Sequence, residues 1–584
     1  MKKTLIKILA AALAMVLILG STACIHIRII DHNTEETPSN IPYTEPTEPT
    51  LPTPPPETPP QVINTIDYPL TVNPELVPVY EEHDLTKFNT LCTDLTSLAK
   101  GNDFEAIKKT YDALCDETLA ISDNASAAYL NWCQDGGNDT LSKIYQDADD
   151  TALECFDQAY IAIRAICEGP CSSQFKNYVG EYAFNEYSEY EDMTEEDLAR
   201  NTKINELVAD YFAATERYDA GEIDMYELND IVGPIYLELI QLRTQQAQAA
   251  GYDNYAEYAD AEVFCRSYST EEAEKLHAAA KKIAPDVYEI LYYSDIYYMP
   301  DLAPYYDEAE MLTLLKEYAA IIDPDVLSSA DFMINNGLID IAQDTKRQNV
   351  SFTLTFDRTR TPYIFINESG NEDFSTLNHE FGHFTAAYLY PVENPMVQGS
   401  GDFDVLEIHS TGLEVLYSNY YGDIYGTEVA PYMEAYELIN LLFCVVDGAL
   451  YDEFQREIYT HPDMTLDEIN QLYYDLCVEY GDPYANYYWW QQVPHNFESP
   501  MYYISYGASA LASVQLWDLS KKDYGSAVSA WKNLLSYNGH DSCYMEALTT
   551  SGLATFDNQQ AILNALWDAV DYTDKYSVYS GSNY

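Results

Sequence analysis

Beyond residue 76 apolar positions recur at three- and four-residue spacing, the period of helices that bury one face. Residues 86–100, 103–119, 150–167, 194–217, 269–293 and 467–480 follow it, and most open at Thr, Ser or Asp, whose side chains cap helix starts. The period changes in one place. Residues 351–356 alternate polar with apolar, and 362–367 are β-branched and aromatic, so two short strands are predicted, closed by a turn at Glu368-Ser369-Gly370-Asn371. The pattern predicts a mainly α body over residues 76–584 with one small β-sheet and no internal repeat.

The first 75 residues follow neither period. Lys2, Lys3 and Lys7 precede an apolar run over 8–19 that ends in Gly20-Ser21-Thr22-Ala23-Cys24. A charged start, a short apolar core and a small-residue exit describe a signal peptide over 1–23. The run falls short of the roughly 20 apolar residues that span a membrane as a helix. A cysteine directly after Ala23 resembles the lipobox of bacterial lipoproteins, which implies a lipid on Cys24 and a membrane anchor through it. Residues 24–75 read as a tether: ten prolines lie between Pro38 and Pro60, interleaved with Thr and Glu. That composition favours extended chain and buries no core. The expectation is an exported protein on the outer face of a bacterial membrane, with a secreted chain as the alternative.

Composition narrows the partners. The chain has 584 residues, of which 47% are hydrophobic, enough for a large core. Its 29 basic against 96 acidic residues give a net charge of −67, which excludes nucleic acid as a partner, because phosphate binding needs clustered Lys and Arg. Apart from Cys24 ten cysteines are scattered through the body, and only Cys167 and Cys171 stand close together. Mostly free, buried thiols are expected, with that pair as the candidate bridge; no spacing suits a cysteine zinc site.

The chemistry lies just after the predicted strands. His379-Glu380-Phe381-Gly382-His383 is an HExxH motif. On a helix two histidines four apart stand one above the other and grip one metal ion, while the intervening glutamate takes a proton from the attacking water. Phe374, Leu377, Phe381, Phe384 and Tyr388 form a stripe facing away from both histidines, with Asp373 or Ser375 as candidate caps and Pro391 as a stop. A peptidase zinc needs a third protein ligand. The metzincin pattern is excluded, since Ala386 and Leu389 stand where it requires Gly and His. Glu407 is the candidate, on a helix that also carries Ser410, Thr411 and Glu414 on the same face. Asp404, His409, Ser410 and Glu414 are candidates to orient the ligands by hydrogen bonds, and His409 reads as a packing or supporting histidine.

HEFGH followed by Glu407-Ile408-His409-Ser410 and Glu414 resembles the thimet oligopeptidase family, within it the oligoendopeptidase F branch. Gly251-Tyr252-Asp253-Asn254-Tyr255 is similar to a segment that family carries upstream, and the resemblance covers about residues 200–525. It implies a large two-lobed helical peptidase with a deep central channel, one Zn²⁺ per chain on His379, His383 and Glu407, and short unstructured peptides as substrates. It also implies that the loop around Pro494-His495 and Tyr502-Tyr503-Ile504-Ser505-Tyr506 lies over the metal. There His495 with Tyr503 or Tyr506, or Tyr502 in their place, stabilises the oxyanion and Glu380 serves as general base. The 362–367 strand edge is expected to pair with the substrate backbone. The alternatives are a dipeptide-releasing carboxypeptidase of the angiotensin-converting-enzyme type and a non-catalytic peptide-binding lipoprotein.

Overall fold

The computed structural model describes residues 65–190, 194–300, 303–367, 374–397, 402–539 and 543–577. The signal peptide, Cys24, the proline-rich stretch, the turn at 368–371 and Asp373 lie outside these residues.

Two hydrophobic cores organise the helices. Helices α1 (Thr86–Leu98), α2 (Phe104–Gln134) and α3 (Asp139–Cys167) enclose the smaller one, filled by Phe88, Leu95, Ile107, Leu114, Ile163 and Phe175. Helices α2 and α3 run well past their predicted limits of 103–119 and 150–167. The reason is visible in α2, where Thr118, Ser122 and Asp123 are buried in inward positions, so the apolar period fades while the helix continues. The larger core is built from α4 (Glu195–Asp219), α5 (Met225–Ala250), α6 (Thr270–Tyr293), α7 (Glu308–Ile322) and α8 (Pro324–Asn336). After a small sheet come α9 (Phe374–Leu389), α10 (Leu406–Tyr417), α11 (Ala430–Thr460), α12 (Leu466–Tyr480), α13 (Ile504–Lys522), α14 (Tyr524–Leu535) and α15 (Gln559–Tyr576). Asp224, Ser269, Asp307 and Thr465 each form a reciprocal capping box with the glutamate three residues on; Ser269, like Asp103 and Thr194, caps a start read from the sequence. Among the described residues no helix is long and apolar enough to cross a membrane.

The sheet holds three strands, β1 (Ile339–Ile341), β2 (Val350–Phe356) and β3 (Thr361–Asn367), in the order β1-β3-β2. Strand β1 pairs parallel to β3, and β2 pairs antiparallel. At three residues β1 is too short to show a period, which is why the pattern missed it. Strand β3 is buried at every position because it is the middle strand. This corrects the expectation that 362–367 offers a free edge: both edges of β3 are paired, and β2 is the outer strand beside α9.

The two cores meet where α2 passes the sheet: Asp123 accepts the Asp357 N–H at 2.7 Å at the end of β2. Within the smaller core the Tyr160 hydroxyl donates to the Met396 carbonyl at 2.5 Å. Within the stretch read as tether, Tyr68 brackets β1, its hydroxyl 2.7 Å from both the N–H and the carbonyl oxygen of Ile341. None of the ten cysteines of the body forms a disulfide, Cys167 and Cys171 included.

Candidate metal centre

Helix α9 is buried on nearly every side. Phe374, Leu377, Phe381 and Phe384 pack inward as the stripe predicts, and Tyr388 stacks on Phe332 at 4.8 Å between ring centroids. Ser375 does not cap the helix but lies within it, 3.4 Å from Glu437. The opposite face carries the motif, and Gly382 sets how close the next helix comes. A Cβ at that position would stand 2.4 Å from the His409 carbonyl oxygen and 2.6 Å from the Ser410 Cα. The missing side chain lets α9 and α10 touch backbone to backbone, which carries Glu407 to the two histidines.

Nε2 of His379 and Nε2 of His383 each lie 3.5 Å from Oε2 of Glu407. All three ligand atoms fall within 4.8 Å of one another. Two atoms each about 2.1 Å from a tetrahedral centre stand about 3.4 Å apart, so this spacing fits ligands of one small cation better than hydrogen-bonded pairs at about 2.9 Å. The buried Nε2 of His383 has no hydrogen-bond partner, as a ligand atom requires. Glu414 takes His379 Nδ1 at 2.5 Å, which fixes the ring and leaves Nε2 for the metal. Ser410 donates to Glu407 Oε2 at 3.1 Å. Burial by itself raises the Glu407 carboxyl, but the two imidazoles outweigh it and hold the group well below the usual carboxylate range. Conversely, burial lowers His379 and the carboxylates of Glu407 and Glu414 more than reverse that.

Glu380 sits on the same helix with one oxygen committed and one not. Thr353 of β2 donates its hydroxyl to Oε2 at 2.8 Å, while Oε1 is buried without a partner. Burial pushes this carboxyl up to about 7 against the pull of His379 and His383. His409, by contrast, is not among the converging donors. Its side chain is buried and pushed down to about 3, chiefly by burial, and its carbonyl accepts the Trp531 N–H at 3.0 Å.

A short helix, His495–Glu498, and the start of α13 supply the candidate oxyanion donors. The Tyr506 hydroxyl lies 3.5 Å from His495 Nε2. Burial lowers His495 to about 4, so it is neutral at pH 7. Tyr506 is also raised by burial, then by Tyr502 and Glu407, so its hydroxyl keeps its proton and remains a donor. The Tyr502 ring lies flat against His495, 5.5 Å between centroids at 8°. Tyr503 points its hydroxyl at Asp447 of α11, whose carboxyl burial raises to about 7. The sequence reading missed Thr353, Gly382 and Asp447. Thr353 was legible only as an alternating strand position, and which helix it faces is a tertiary fact.

No protein-family model matches the chain. Over 231 residues it is 25% identical to oligopeptidase PepF of Bacillus subtilis (strain 168), a stretch that covers 36% of this chain and 33% of that protein. The matched stretch thus spans about a third of that relative's length. Among solved structures, PZ peptidase A with inhibitor 2 superposes with a TM-score of 0.66 at 19% identity, over 85% of this chain and 98% of that one. A protein of Bacillus anthracis str. Ames described as an oligoendopeptidase F gives 0.64 at 17% identity, over 85% and 97%. The fold is therefore that of the helical oligoendopeptidase F peptidases.

Proposed function

We propose that this chain, homologous in part to oligopeptidase PepF and sharing the oligoendopeptidase F fold, is a zinc-dependent endopeptidase acting on short unstructured peptides. The observation that carries the reading is the convergence of two imidazoles and one carboxylate at 3.5 Å spacing, with a buried, half-committed glutamate on the same helix. His379, His383 and Glu407 would hold the ion. Bound zinc supplies Lewis acidity, acidifying a water and drawing charge from the scissile carbonyl.

The residues of the chain do the rest. Glu380 receives the proton of the attacking water on Oε1, while Thr353 keeps Oε2 in place, and returns that proton to the leaving amine. Burial of Glu380 favours the protonated carboxyl, which helps it to take up and hand on that proton. Tyr506 and His495 donate hydrogen bonds to the oxyanion, and Tyr503 shapes the same wall through Asp447. Substrate backbone pairs with β2 rather than β3. Because Ile364 sends its N–H to Leu338 at 3.0 Å, the alternation of the ladder turns the backbone groups of Ser351, Thr353 and Thr355 away from β3. A strand laid there runs past Glu380.

The deciding experiment is product mapping on a mixed peptide library with and without chelator, beside Glu380→Gln. The variant should keep one zinc per chain and lose at least about 100-fold in turnover; full turnover by the variant refutes the assignment of the base. We further propose, from the charged apolar leader and the lipobox-like Cys24, that the enzyme is exported and held on a lipid at that cysteine. Fatty-acid labelling that survives Cys24→Ala would overturn that anchor.

A further inference from the structure

We propose that Arg266 is a positioning residue that holds the loop bearing His495, Tyr502 and Tyr506 in register with the third metal ligand; the proposal rests on the peptidase reading above. The Arg266 side chain is completely buried. Its fork reaches four groups at once: Asp260 at 2.8 Å, Asp404 at 3.3 Å, the Met501 carbonyl at 2.7 Å and the Ser505 hydroxyl at 2.9 Å. Two of these, Met501 and Ser505, lie where the loop enters α13 beside Tyr506, and one lies just ahead of Glu407.

Asp404 completes the link. It sits in the single turn Phe403–Val405 that runs directly into α10, three residues before Glu407. One carboxylate oxygen accepts the Ser505 hydroxyl at 2.5 Å, the other accepts the Tyr268 hydroxyl, and the Asp404 carbonyl accepts Ser509 at 2.6 Å. One guanidinium and one carboxylate, both shut off from water, therefore tie the segment that presents Glu407 to the segment that presents Tyr506. Asp260 is itself held from behind by Arg456 at 2.6 Å, so the anchor of the fork cannot drift.

The backbone that Arg266 grips is one that needs holding. Met501 has φ +74°, a region L side chains rarely adopt. Its N–H is taken by Gln455 and its carbonyl by Arg266, and the chain then turns through Tyr502 and Tyr503 into α13. Arg243 performs the matching task at the other end, donating to the carbonyls of Phe497 and Glu498 beside His495. A lysine at 266 keeps the charge but offers one compact ammonium where four directions must be served. A cluster present only to fill the core would have no reason to spend its donors on the backbone of this loop.

The test uses Arg266→Lys, with Ser505→Ala as the milder second variant, each alone and combined with Tyr506→Phe. Arg266→Lys is expected to keep one zinc per chain and to lose about 100-fold in kcat with KM changed less than about threefold. Tyr506→Phe, costing about 100-fold in the wild type, should then cost less than about fivefold, because the hydroxyl is already out of place. Independently of turnover, amide exchange over residues 501–506 should speed up while α9 stays protected. Equal cost of Tyr506→Phe in both backgrounds, unchanged kcat, or unchanged exchange over 501–506 overturns the proposal. If Arg266→Lys does not fold, Ser505→Ala carries the same readouts with smaller effects. Wild-type protein without chelator-sensitive hydrolysis would sink the peptidase reading instead, and the exchange measurement would still decide the clamp.

Discussion

Replacing Gly382 by alanine separates two opposed effects by sign. Helix propensity alone favours alanine over glycine by about 1 kcal/mol in a helix interior. At this position the new Cβ would meet the His409 carbonyl oxygen at 2.4 Å and the Ser410 Cα at 2.6 Å. Ordinary contact between carbon atoms is about 3.5–4.0 Å, so α9 and α10 must part by about 1 Å, and neither obstacle is a side chain that can swing away. Overpacking of this kind costs about 1–3 kcal/mol, enough to cancel the propensity gain and leave the variant no more stable than the wild type. The larger consequence is geometric. Spreading the helices pulls Glu407 from the two imidazoles, and a displacement of about 1 Å costs on the order of 100-fold in rate. Competition with a chromophoric chelator should show zinc affinity lower by about 10-fold or more, with kcat falling alongside. A Gly382→Ala protein that is more stable, binds zinc within twofold of wild type and turns over normally would refute the close-approach argument.

Glu414→Gln weakens the acceptor for His379 Nδ1, so zinc affinity measured by the same competition should drop about 10- to 100-fold while the fold is retained; unchanged affinity would deny Glu414 that role. Tyr506→Phe should lower kcat about 100- to 1000-fold, and Tyr503→Phe far less, since its hydroxyl faces Asp447; a larger loss at Tyr503 would reverse the assignment in steady-state kinetics. His495 carries a pH signature. Its folded pKa is depressed to about 4 by burial, so between pH 6.5 and that value the unfolded chain binds a proton the folded chain does not. Stability therefore falls as pH drops through that window, and His495→Gln should remove about 2–3 kcal/mol of the fall in urea titrations; parallel profiles for the two proteins would contradict the burial argument.

What the sequence determined by itself was local. Helix periods, capping signals and the HExxH spacing depend on residues a turn or two apart, so α1, α4, α6 and α12 and both ligand helices were legible, as was the His379–His383 pair; Glu407, on a separate helix, was joined to them through the family resemblance. The limits of α2 were not, because polar residues turned inward and broke the period, and β1 was not, because three residues make no pattern. Only the tertiary structure decided which strand is the middle one, which hydroxyl steadies Glu380, and which of three tyrosines around His495 turns its hydroxyl to that ring and which to Asp447. These are relations between segments far apart in the chain, set by how closely backbones approach and which buried polar groups find partners. A one-dimensional pattern shows which face of a helix is turned inward but not what waits there.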